Sequence, residues 1–384
     1  MAILIAGGGI GGLAAALFLR RAGLHDVAVF EQAPELREIG AGIQVAPNAV
    51  RLLRRLGLAD AIEPDAVFPE RITWMNALSG ERVTWLDLGP PFRRRYGYRY
   101  IVMHRSDLLA VLVAACRRDA RISLRNNKEL ISIAESGEAV TVTCADGSHE
   151  SGEALVGADG LWSTVRRYVS DDGGPECSEY VAYRGAIPIE QMSEHAGLDN
   201  VVVWTGPDMH LVQYPLRRGE LYNQVAVFKS YRYRPDSDDW GTTDELEERF
   251  GTATGAVRNA LRMIKRNRRW PMYDRPPRPE WARGRAVLLG DAAHPMLQYL
   301  AQGACQAIED AVALGAAFAE HSGVDAAFAA YKSARVLRTA RVQSMARDWG
   351  RFWHVHGEAM TRRDALLATR APDDYRDTDW FYGA

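Results

Sequence analysis

Cysteine is scarce and scattered. Cys116, Cys144, Cys177 and Cys305 form no C-x-x-C pair and have no histidine at ligand spacing. This excludes a zinc site and a disulfide scaffold, and reduced thiols in a cytoplasmic protein are expected. The amino end lacks a basic stretch followed by an apolar run and a cleavage site, so no secretion signal is expected. No apolar run is long enough to span a bilayer. Neither sign of charge is in excess: the formal net charge is −2 over 384 residues, which gives no general footing for nucleic acid or an anionic membrane. The local clusters Arg93-Arg94-Arg95 and Lys265-Arg266-Asn267-Arg268-Arg269 read as solvated faces. Repeats and low-complexity segments are also missing. What is present is 47% hydrophobic and 25% charged residues, a globular composition, in a chain too long for one ordinary core. Two domains are expected.

The amino end carries the first motif. Residues 2–6 read as a buried strand, Gly7-Gly8-Gly9-Ile10-Gly11-Gly12 follows directly, and residues 14–23 read as a helix closed by Gly23. A second strand over 27–30 ends at Glu31. This is the G-x-G-x-x-G dinucleotide fingerprint in its required setting, with a strand before, a helix after and an acid about twenty residues on to take ribose hydroxyls. The glycines let backbone approach a pyrophosphate at the helix amino end.

From Glu35 to Asn48, including Gly40, Gly42 and Gln44, there is no hydrophobic periodicity. The stretch is either a plain surface loop capped by Asn48 or a loop that closely approaches a ligand, and a helix is expected from Ala49 to Gly57. Residues 71–88 read as a strand pair running into Gly89-Pro90-Pro91. Ser106 is the candidate cap of the next helix; Arg105, just before it, is placed for a phosphate or ring carbonyl, or is simply solvated. Strands at 122–124, 130–134 and 140–144 predict a small meander.

Two further strands end in acidic corners. One is Gly157-Ala158-Asp159-Gly160, with Ser163 and Arg166 at helical spacing behind it; the other is Gly290-Asp291-Ala292-Ala293-His294-Pro295, after the strand 286–289. The second leads into a helix whose first turns are small residues around Gln302 and Gly303. Such a corner can hold a polar chain on its carboxylate while a flat ring lies against bare backbone N–H groups. Between Tyr180 and Tyr273, aromatic and β-branched strands predict an antiparallel sheet. Alternation puts His210, Val212 and Tyr214 on one side of their strand, as a hydrogen-bonded core pair or as the lining of a polar pocket. After Leu314 the chain reads as helical through Val342, and the aromatic tail from Trp349 to Gly383 should dock on a surface such as that of a second subunit.

Gly7 to Gly12 with Glu31, Gly157 to Gly160 with Ser163 and Arg166, and Gly290 to Pro295 occur here in that order. Taken together, over nearly the whole chain, they resemble the single-component FAD-dependent aromatic hydroxylases. Met209-His210-Leu211-Val212-Gln213-Tyr214-Pro215, Leu297-Gln298-Tyr299 through Gly303, and the Trp349 to Trp380 tail are most similar to members that convert 3-hydroxybenzoate to gentisate. Members acting on salicylate or 6-hydroxynicotinate are similar over the flavin motifs.

The resemblance implies an α/β fold of three parts. A discontinuous Rossmann-like FAD-binding domain would comprise 1–70, 101–178 and 275–320, an inserted β-sheet substrate domain 71–100 and 179–274, and a helical carboxyl-terminal segment 321–384. It also implies tightly bound FAD, NADH or NADPH as a transient visitor, O2 and an aromatic substrate, with a homodimer expected. Glu31 would hold the adenosine ribose, Gly7, Gly9 and Gly12 the pyrophosphate turn, Arg105 the flavin phosphates and Asp291, after Gly290, the ribityl chain. Asp159 would serve flavin and nicotinamide, while Gln44, Gln302 and Gly303 would lie near the flavin. His210 would be the base for the phenol, with Tyr214 and Gln298 as hydrogen-bond partners of phenolate or carboxylate; Gln298 would stand between flavin helix and His210 strand. His294 would be structural or flavin-side. The rival readings are a non-oxygenating flavoprotein and an NAD-dependent dehydrogenase.

Overall fold

Strands that are apolar along their whole length can persist only inside a sheet covered on both faces. Ala2–Ala6, Ala154–Gly157, Ala286–Leu288 and, after its exposed first residue, Asp26–Phe30 are such strands, buried throughout except at Ala2 and Asp26. In the computed structural model, which describes residues 2–36, 42–192, 199–234, 242–264, 266 and 268–383, they form the core of one sheet. Residues 37–41 of the glycine-bearing loop, and Lys265 and Asn267 of the basic cluster, lie outside the described residues.

The order is Ala282–Arg283, Ala286–Leu288, Ala154–Gly157, Ala2–Ala6, Asp26–Phe30 and Ile122–Arg125, parallel except at the Ala282–Arg283 edge. The strand at Ile122 therefore belongs to this sheet and not to the meander expected for it. A parallel neighbour needs a crossover connection, and the helix Arg105–Arg118 before it supplies one. The meander itself consists of Leu130–Ser136, Ala139–Cys144 and His149–Gly152. Helices Ile10–Arg21 and Gly303–Glu320 meet so closely that a Cβ on Gly315 would stand 2.9 Å from the Phe18 carbonyl oxygen.

Three local expectations change. Within the loop after Glu35, Gly42–Val45 is a strand paired with Ile101–His104, and the next helix begins at Pro47, whose fixed φ suits a first helical position. Asn48 is thus inside that helix and buried, not a surface cap. The helix Arg105–Arg118 is capped by His104, whose Nδ1 accepts from the Ser106 N–H at 3.3 Å, in place of Ser106. An imidazole nitrogen reaches the same orphan donor that a short oxygen side chain would.

The second sheet runs Trp270–Asp274, Glu176–Pro188, Leu221–Lys229, Met209–Leu216, Val201–Gly206, Arg71–Asn76 and Arg82–Asp87. It is antiparallel save for Val201–Gly206 against Arg71–Asn76, because the early hairpin joins from the other end of the chain. The helix Val324–Trp353 continues well past Val342. The aromatic tail docks on its own chain: Tyr375 and Tyr382 pack on Phe92 at 5.5 and 5.9 Å between ring centres, and Asp379 pairs with Arg95. No helix among the described residues is long and apolar enough to cross a membrane.

Candidate functional site

A cavity of about 1590 Å³ runs between the two sheets, from the glycine fingerprint to the His210 strand. At the fingerprint end Gly7 has φ +102°, and a Cβ there would lie 2.2 Å from the Ala158 carbonyl oxygen. A Cβ on Gly12 would lie 2.0 Å from the Gly7 oxygen, so this residue keeps the helix tight against the turn and does not itself line the cavity. Gly9 does line it, as the amino cap of Ile10–Arg21, and no side chain caps that helix. Its first N–H groups are therefore available to an anion. The Glu31 carboxylate is fixed beside them, accepting from Gly8 N–H at 2.9 Å and Ala33 N–H at 2.8 Å.

The Gly290 turn forms the next wall. Gly290 has φ +62°, and its N–H donates to buried Asp310 at 3.0 Å. Asp310 also binds His294 and Arg335; burial alone would raise its carboxyl, but those two partners outweigh it and hold it at about 2. His294, fully buried on Asp310, thus braces the turn. Asp291 is exposed to the cavity, with Gly303 beside it: a Cβ on Gly303 would stand 3.8 Å from its Oδ1. The Arg105 guanidinium also lines the cavity; burial lowers its pKa while the Asp291 charge raises it. The Gln302 Oε1 accepts from Asn48 at 3.0 Å and Gln306 at 3.1 Å, whereas its buried Nε2 has no hydrogen-bond partner among the described residues.

The middle motif is held rigid by its own hydrogen bonds. Asp159 lines the cavity, but its carboxylate accepts from Ser163 Oγ and from the N–H groups of Thr164 and Val165 at 2.8 and 3.1 Å. It holds the start of helix Thr164–Val169, and burial raises its pKa. Arg166, buried behind it, donates to the carbonyl oxygens of Ala292 and Ala293 at 2.9 and 2.8 Å and pairs with Asp172. One acidic corner is therefore clamped to the other.

At the far end the large sheet is the floor. His210, Val212 and Tyr214 all face the cavity, as strand alternation requires. Cross-strand register continues the Val212 position through Val225 to Arg184 on one side and through Val203 to Trp74 on the other. His210 is 1% exposed; its Nδ1 shares a hydrogen bond of 2.8 Å with His354 Nε2, and its Nε2 has no partner among the described residues. Burial, then the neighbouring His354, push its pKa well below the ordinary range, so the ring is neutral.

Tyr214 lies against Gln44, whose Oε1 accepts from Tyr100 at 2.7 Å, and burial raises the Tyr214 phenol. Gln298 is exposed on the cavity wall, while Tyr299 beside it makes the contact with His210, at 5.5 Å between rings. The short helical turn Gln298–Leu300 presents these successive residues to different sides, Gln298 to the cavity and Tyr299 to the His210 ring.

A family model described as FAD binding domain matches residues 1–348. The chain is 40% identical over 383 residues to 3-hydroxybenzoate 6-hydroxylase 1 of Aquipseudomonas alcaligenes, covering 99% of this chain and 97% of that one. It belongs to the FAD-dependent aromatic hydroxylases. Another relative, 6-hydroxynicotinate 3-monooxygenase of Bordetella bronchiseptica, is 34% identical over 90% of each chain. Among solved structures, Klebsiella pneumoniae HpxO complexed with FAD and uric acid superposes with a TM-score of 0.88 at 27% identity, covering 100% of this chain and 96% of that one. A salicylate hydroxylase substrate complex gives 0.82 at 26%, with 100% and 95% covered.

This FAD-dependent hydroxylase is an oxygenase, and such hydroxylases use NAD(P)H and O2 beside FAD. Its residues fit the flavin nucleotide: bare glycines and an uncapped helix start for phosphates, fixed Glu31 and exposed Asp291 for hydroxyls, and the unpaired Gln302 amide for a polar ring edge. Of the site residues expected from sequence, the fold brings all but Gly12 to the one cavity. Three of interest went unread. Arg184 lines the cavity from a strand whose burial does not alternate, and His354 and Tyr299 reach His210 through contacts that no local spacing announces.

Proposed function

We propose that the chain hydroxylates 3-hydroxybenzoate at carbon 6, para to the phenol, giving gentisate at the expense of NAD(P)H and O2. The observation that carries this reading is buried His210, which lines the cavity that the flavin cradle also lines and whose Nε2 has no partner among the described residues. The names of relatives at about 40% identity support the substrate. Bound FAD would supply hydride acceptance and oxygen activation; the protein must orient the ring, exclude water and remove the phenol proton.

In this reading Glu31 takes the adenosine ribose, the turn around Gly9 the pyrophosphate, Arg105 the phosphates and Asp291 the ribityl chain. The backbone at Gln302 and Gly303 would hold the flavin ring, with Gln44 and Asp159 also lining its place. Residues 1–70, 101–178 and 275–320 hold the cofactor, and 71–100 with 179–274 hold the substrate. Neutral His210 accepts the phenol proton at Nε2. Tyr214 and Gln298 hydrogen-bond the substrate oxygens, and Arg184 takes the carboxylate: its Nε has no partner among the described residues and its guanidinium lies over Trp270 at 3.9 Å.

The deciding assay follows NAD(P)H oxidation by the yellow, FAD-loaded protein with 3-hydroxybenzoate, salicylate or 6-hydroxynicotinate. Gentisate is expected from the first. Peroxide as the sole product, or preferred turnover of either other acid, would remove the assignment. His210→Ala should retain FAD and lose hydroxylation by roughly 10²–10⁴-fold, the usual contribution of a positioned base; full activity would exclude His210 as the base.

A further inference from the structure

His210 has a second buried imidazole behind it, an exit for a proton taken up at its ring. If the phenol proton stayed on its ring, an imidazolium would sit in a site that solvent does not reach, with His354, Tyr299 and Trp353 packed around it. Such a charge is costly unless it is paired or passed on. The hydrogen bond between His210 Nδ1 and His354 Nε2 requires one nitrogen to donate and the other to accept. For His210 Nε2 to be free to accept a proton, Nδ1 must carry the hydrogen, so His354 Nε2 is the acceptor and His354 carries its own proton on Nδ1.

His354 leads toward the surface. It caps the long helix Val324–Trp353, and its carbonyl accepts from the Asp208 N–H at 3.3 Å. Its ring stacks on Tyr180, 4.5 Å between centres, and the Tyr180 hydroxyl donates to Asp208 at 3.0 Å. The Asp208 carboxylate also accepts from Tyr231 at 2.8 Å and lies 3.1 Å from His356, whose side chain is 60% exposed. Arg363 is the other charged group acting on the His354 ring.

Resting on the assignment of His210 as the base, we propose that His354 is a positioning residue that fixes the His210 tautomer and carries the phenol proton to the Asp208–His356 pair at the surface. The phenol O–H breaks as an N–H forms at His210 Nε2. The His210 Nδ1–H passes to His354 Nε2, and the proton on His354 Nδ1 leaves toward Asp208 and His356, and from there to water. Both rings end neutral, His210 now donating from Nε2 to the phenolate. No electrons move, and one proton reaches solvent for each phenol ionised.

The test is stopped-flow mixing of the FAD-loaded full chain with 3-hydroxybenzoate in weak buffer containing a pH indicator, with flavin content and substrate Kd measured alongside. Wild type should release a proton on binding. His354→Gln, which keeps one hydrogen bond but cannot relay a proton, should slow release on the order of 10²-fold at unchanged Kd, and added buffer should not restore it. His356→Gln should slow release less, and concentrated buffer should restore it, since the lost group stands in solvent. Wild-type release by His354→Gln overturns the relay. If that variant fails to load FAD, wild-type release by His356→Gln in weak buffer overturns it instead. His210→Ala separates the two ideas: release at the wild-type rate there refutes the base assignment, whereas loss there with normal release in His354→Gln refutes only the relay.

Discussion

Arg184 shows how much depends on which face of a strand a single side chain takes. It stands in Glu176–Pro188, in register with Val225 and then Val212, on the same floor as His210. Burial, then the charges of Arg105 and Arg268, bring its pKa down to about 10, so it remains a cation at neutral pH. A charge-assisted hydrogen bond is worth about 1.5–3 kcal/mol, or roughly ten- to hundredfold in affinity. Arg184→Met should therefore weaken 3-hydroxybenzoate by that factor and leave the binding of neutral 3-hydroxybenzyl alcohol nearly unchanged. Equilibrium titration of the flavin spectrum measures both; equal weakening of the two would show that Arg184 serves packing alone.

The elements that carry the cradle depend on a buried polar layer at the start of helix Gly303–Glu320. Arg335, from the following helix, binds Asp310 at 2.6 Å, Glu309 at 2.5 Å and the Gln306 side chain at 2.8 Å. Arg335→Met leaves those carboxylates with less compensation, and losing one partner of a buried pair costs about 3–5 kcal/mol. A lower urea midpoint and weaker FAD retention are expected together, because the Gly290 turn hangs on Asp310. Unchanged flavin affinity in a folded variant would separate the layer from the cradle. Little of this layer was legible in sequence. The strands, the glycine turn and both acidic corners announce themselves by local pattern, since each is a contiguous run with its own period. Gln302, Gln306 and Glu309 share a helix face at spacings of four and three, but no spacing rule connects them to Asn48 or to Arg335. The same reason misplaced Ile122: a strand's residues show that it pairs, not with which neighbour.

At the scale of the whole molecule, the carboxyl-terminal segment folds back to complete the site, and 144 positions separate the two rings of the His210–His354 pair. The strand pattern could offer His210 as cavity lining or as core; only the returning helix end resolves why one of its nitrogens is engaged and the other is not. Burial of the pair also has a consequence for stability. In the unfolded chain both imidazoles titrate near 6.5. In the folded chain burial, only partly opposed by Asp208, holds His354 at about 3, and His210 also lies well below its ordinary range. Below about pH 6.5 the unfolded chain therefore binds protons that the folded chain refuses. Stability is full above that pH and falls as pH drops toward 3, by up to about 1.4 kcal/mol per unit for each ring. Carboxylates such as Asp310, with a pKa of about 2, contribute equally to wild type and variant and cancel in a comparison. Between pH 7 and 5, wild type should lose up to about 2 kcal/mol more unfolding free energy than His354→Gln, read from urea titrations at each pH. Parallel losses would mean that His354 takes up its proton in the folded chain as readily as in the unfolded one, and a ring so easily charged would not be sealed from solvent as the packing of Tyr180 and Tyr299 around it requires.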